Sequence, residues 1–86
     1  MSEKSLKSHL AALRSELAAA KGLDPHTREL LDALAEDIDD ALGKREPDHA
    51  SLRERVEAAT LKFESAHPRF ASILGDITDT LAKLGF

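Results

Sequence analysis

The sequence predicts an all-α fold: an antiparallel helical hairpin followed by a long helix broken or kinked at His67-Pro68, three to four helices forming a coiled-coil-like bundle. Two observations carry this. Apolar residues recur at alternating three- and four-residue intervals, the spacing that paints one stripe along a helix. Leu, Ala, Glu, Asp, Lys and Arg dominate, while aromatics are 3% of the chain and cysteine is absent. The 86 residues are read as one helical domain, 1–86.

The first stripe is Leu6, Leu10, Leu13, Leu17 and Ala20, which predicts a helix over about 3–21. Gly22 follows where a left-handed cap belongs. Asp24-Pro25 then reads as N-cap and first helical residue: the carboxylate accepts orphan N–H groups, and proline has none to waste. The second stripe, Thr27, Leu31, Leu34, Ile38, Ala41 and Leu42, predicts a helix over about 25–42. So short a loop forces the two helices antiparallel. That brings basic Lys7 and Arg14 alongside Asp32, Asp39 and Asp40.

A polar connector, 43–48, contains Pro47. Asp48 and Ser51 are alternative N-caps for the third helix, placed at about 49–66; Ser51-Leu52-Arg53-Glu54 fits a capping box. Its stripe is Leu52, Val56, Ala59, Phe63 and Ala66, and it resumes at Phe70, Ile73, Ile77, Leu81 and Leu84 in a segment over about 68–84. Proline disfavours helical geometry at His67 and removes a backbone bond. The unbroken phase across it favours a kink or near-collinear break over a tight reversal.

The last segment confines its charges to one narrow face, so it contacts more than one neighbour. Gly75 in its interior costs about 0.8–1 kcal/mol relative to Ala, which suggests that another backbone comes close. A homo-oligomer, with a dimer favoured, is expected to bury this helix between chains through Phe70, Ile73, Leu74, Gly75, Ile77, Leu81 and Leu84.

Chemistry is harder to find. The net charge is −4, and no basic stripe interleaved with aromatics exists, which argues against nucleic acid. The polar faces are acidic or neutral, the wrong sign for an anionic membrane surface. No apolar run approaches bilayer length, and no secretory leader is evident, so the expected compartment is the cytoplasm. His9, His26, His49 and His67 are never three or four residues apart, so no local zinc pair forms. Glu36, Asp37, Asp39 and Asp40 lack the glycine turn and ligand spacing of a calcium loop and read as a solvated face. Gly43-Lys44 lacks the upstream glycine of a phosphate loop. No serine sits in a nucleophile elbow. No catalytic, cofactor or metal residues are assigned.

Two stretches are distinctive: Phe63-Glu64-Ser65-Ala66-His67-Pro68 and the terminal Leu81-Ala82-Lys83-Leu84-Gly85-Phe86. With the Leu-rich hairpin before them, they resemble the short bacterial proteins grouped as the domain of unknown function family DUF4404, from Leu6 to Phe86. The most specific element is the Phe-Glu-x-x-His-Pro step followed by a helix ending in Leu-x-x-x-Gly. The resemblance implies a small, bacterial, helical, cytosolic protein, and brings no activity, cofactor or partner with it. The expected function is therefore a non-enzymatic, self-associating, protein–protein interaction module, open to an unidentified protein partner. The alternative is a regulatory protein that binds a metal or small ligand at the acidic second helix or near His67.

Overall fold

The computed structural model describes residues 2–43 and 51–86. Asp48, His49 and most of the connector lie outside the described residues. Among the described residues four helices form: α1 (Ser2–Ala19), α2 (Pro25–Gly43), α3 (Leu52–Phe63) and α4 (Pro68–Lys83). No strand occurs among the described residues.

The first hairpin turns as its punctuation dictates. Gly22 takes φ 81°, a left-handed conformation that favours glycine. Asp24 Oδ1 accepts the N–H groups of His26 (2.9 Å) and Thr27 (3.1 Å), and Oδ2 accepts the Thr27 hydroxyl (2.8 Å). Leu6, Leu10, Leu13 and Leu17 of α1 and Leu31, Leu34 and Ile38 of α2 are buried. Arg14 lies 3.8 Å from Asp39, so the complementary signs of the two helices do face one another. Both side chains are more than half exposed, and such a pair contributes at most about 1 kcal/mol.

Ser51 holds the N-cap position of α3 but makes no side-chain capping bond. At the other end the helix stops at Phe63, and α4 begins with Pro68 as its first residue. His67 is non-helical, at φ −138° and ψ 71°; its N–H donates to the Phe63 carbonyl at 2.8 Å. The near-collinear geometry expected from the stripe's phase does not occur. End to end, α3 and α4 would span about 42 Å at about 1.5 Å per residue, more than the longest dimension of the molecule, 34 Å. Instead α4 folds back along the length of α3 and also packs against α1. A continuous phase shows that both helices face one core; it does not fix their direction.

The bundle therefore runs up, down, up, down. α4 sits between α1 and α3, which explains its broad apolar face. Phe70, Ala71, Leu74, Ile77 and Leu81 are buried, and buried Thr80 satisfies its hydroxyl by donating to the Asp76 carbonyl at 2.9 Å. By contrast α2 and α3 meet only along a thin edge, bridged by Arg55 Nη1 to Asp37 Oδ2 at 2.7 Å. The close backbone approach expected at Gly75 is absent. A Cβ placed there would meet the Thr60 methyl at 3.9 Å, an ordinary contact.

The end of α4 is capped by its own chain. Gly85 adopts φ 90° and donates to the Ala82 carbonyl (3.1 Å), while the Phe86 N–H donates to the Leu81 carbonyl (3.0 Å). This is the Schellman arrangement, with the half-buried Phe86 ring against the core.

Candidate functional site

Both distinctive stretches of the sequence thus shape helix ends: one turns α3 into α4, the other caps α4. The first also builds a concavity. His67 stands between two phenyl rings, edge-on, with centroids 5.7 Å from Phe63 and 6.1 Å from Phe70. Such aromatic pairs contribute about 0.5–1.5 kcal/mol beyond area burial. The imidazole is half-buried.

Because α1 and α4 are antiparallel, the last turn of α1 meets the first of α4. Between them opens a cleft of about 350 Å³ lined by Glu16, Ala20, Lys21, Leu23 and residues 66–70. Arg69 Nη1 lies 3.5 Å from Glu16 Oε1; the arginine is largely exposed and the glutamate half-buried. Lys21, His67 and Arg69 rim the cleft, and Ala20, Leu23 and Phe70 supply apolar walls.

The carbonyls at the end of α1 could have faced this cleft as negative dipole ends. They do not go unpaired. Arg28, one turn into α2, donates from Nη1 to the Leu17 carbonyl (3.1 Å) and from Nη2 to the Ala20 carbonyl (3.3 Å). Sequence reasoning missed this role. The signal was available: Arg28 is the only cation in the acidic stretch 24–43.

Two further grooves are lined by described residues. One, of about 460 Å³, lies between α1 and α2 and is lined by Lys7, Leu10, Arg14, Asp39 and Leu42. The other, of about 360 Å³, runs between α3 and α4 past Thr60, Leu61, Gly75 and Thr78, with Glu57, Asp76 and Asp79 at its rim. Beside it Leu61 is 66% exposed, the one large hydrophobic side chain left in solvent among the described residues.

The remaining candidates disperse. Asp37 turns to Arg55 on α3 and Asp39 to Arg14 on α1, so the acidic run of α2 is split between two faces. Among the described residues no three His, Asp or Glu side chains converge where a metal could be held. His9 is half-buried on α1, and His26 is exposed at the start of α2. Of the residues expected at an interface, Phe70, Leu74, Ile77 and Leu81 belong to the chain's own core. Ile73, Gly75 and Leu84 are only partly covered. Among the described residues, Asp24 is the one group whose acidity is clearly displaced. The Thr27 hydroxyl and N–H groups that it accepts hold its carboxyl below the ordinary 3.8, with smaller help from His26. No described helix is long and apolar enough to cross a membrane.

No curated protein and no solved structure matches the chain. The family model for the domain of unknown function DUF4404 matches residues 6–86, from the first core leucine through the cap of α4, and the chain belongs to that family.

Proposed function

We propose that the protein is a non-enzymatic, cytoplasmic helical module that pairs with a second copy of itself through the outer face of α3. The observation that carries this reading is Leu61, 66% exposed beside the Gly75 groove. A single exposed leucine is unremarkable on its own, but its surroundings are self-complementary. Glu54, Ala58 and Lys62 are exposed at successive turns on the same side of α3. An antiparallel two-fold pairing centred on Ala58 sets Glu54 of each copy against Lys62 of the other and lays Leu61 over a small-residue crossing, as an isologous contact requires. The non-catalytic part of the proposal is supported by the splitting of the acidic run of α2, with Asp39 turned to Arg14 and Asp37 to Arg55.

Light scattering after size exclusion, over a concentration series, tests it. The expected result is a reversible dimer that Leu61→Glu and Glu54→Lys each abolish, and that the double reversal Glu54→Lys with Lys62→Glu restores. A mass that stays monomeric at every concentration, or a dimer indifferent to these substitutions, overturns it.

A further inference from the structure

We propose that the cleft between the end of α1 and the start of α4 is a binding site for a small organic carboxylate, an apolar body carrying one negative charge. The site and its argument are independent of self-association. In a chain of net charge −4, this cleft gathers Lys21, His67 and Arg69 at one rim with Glu16 as its only acid. The two cations, Lys21 and Arg69, are underused. Lys21 makes no ion pair among the described residues, and Arg69 meets Glu16 through one guanidinium nitrogen while its side chain is 83% exposed. The His67 ring contacts two phenyl rings, and its nitrogens have no hydrogen-bond partner among the described residues.

Arg28 removes the main objection. By covering the Leu17 and Ala20 carbonyls, it keeps the negative end of α1 from repelling an anion. The apolar walls, Ala20, Leu23 and Phe70, then choose among anions. An inorganic ion would use the rim alone, whereas an aryl or alkyl carboxylate fills the cleft and places its charge against Arg69, whose planar donors suit a carboxylate. Glu16 acts as the built-in competitor, occupying Arg69 until the ligand arrives.

The test is a titration followed by backbone amide NMR on the intact chain, with phenylacetate, acetate and phenylacetamide as probes. Phenylacetate is expected to give saturable shifts confined to residues 16–23 and 66–70. Acetate should bind at least about tenfold more weakly and phenylacetamide not measurably, since one lacks the apolar body and the other the charge. Lys21→Met with Arg69→Met, both at exposed positions, should abolish the shifts with the spectrum otherwise native. Glu16→Gln should tighten binding several-fold, an outcome that a merely structural role for Glu16 does not give. A peptide ending in a free phenylalanine carboxylate separates the two sources of this chemistry. Tighter binding than phenylacetate assigns the site to a protein C-terminus; equal or weaker binding assigns it to a free acid. Equal binding of phenylacetate and phenylacetamide, weaker binding in Glu16→Gln, or no saturable shift at these residues overturns the proposal.

Discussion

Arg28 in α2 reaches back to the backbone of α1 and donates to the Leu17 carbonyl at 3.1 Å, holding the end of one helix with the start of the next. A second bond to Ala20 makes the clamp two-pronged. A capped helix end satisfies carbonyls that its own ladder cannot reach. Replacing Arg28 by Met is expected to cost about 1–3 kcal/mol, because two charge-assisted bonds to partly buried carbonyls are lost. Lysine should recover less than half, since one ammonium cannot reproduce the planar fork. Urea unfolding of the three proteins checks this.

Asp24 makes the turn sensitive to acid. Its carboxyl ionises below the ordinary 3.8 when folded. The stability it contributes is therefore complete above the unfolded value and is lost as pH falls through the folded one. Asp24→Asn should keep most of the capping and flatten the pH dependence of the melting temperature below pH 4, whereas Asp24→Ala should lower that temperature at neutral pH as well. Thermal melts at pH 7 and pH 3 separate the two variants.

Gly75→Ala should stabilise the bundle. The added methyl meets only the Thr60 side chain, at 3.9 Å, while the helix gains about 0.5–1 kcal/mol of intrinsic preference. Chemical denaturation that shows a loss instead would mean that the groove between α3 and α4 is tighter than this contact implies.

Two leucines of opposite exposure should behave oppositely. Leu74 is completely buried, and Leu74→Ala is expected to cost about 2–5 kcal/mol, enough to unfold much of a domain this small. Leu61→Ser should leave the stability of the monomer within about 0.5 kcal/mol. Melting curves at low protein concentration, where self-association is negligible, make the comparison.

The hairpin of α1 and α2 was legible because each of its signals is local: the leucine stripe, Gly22, and Asp24-Pro25. The return of α4 was not. Whether a chain reverses at His67-Pro68 depends on what α4 gains by lying between α1 and α3, and periodicity carries no record of that. For the same reason Phe70, Leu74, Ile77 and Leu81 read as an interface: a face wide enough for two neighbours looks alike whether those neighbours belong to the same chain or another. Arg28 and the cleft by His67 rest on contacts between elements distant in sequence. Gly85, by contrast, is a local signal: a glycine just past the last helical turn is where a Schellman cap belongs.

The thin edge between α2 and α3 gives the bundle a seam. α1, α3 and α4 can keep their mutual packing with α2 displaced, whereas displacing α4 would expose both of its partners. Opening should therefore be graded: α2 exchanges its amide hydrogens first and α4 last. A chain built this way resembles a three-helix body with a detachable flank, and that flank has a net charge of −5 (six acidic residues, one arginine) against −4 for the whole chain.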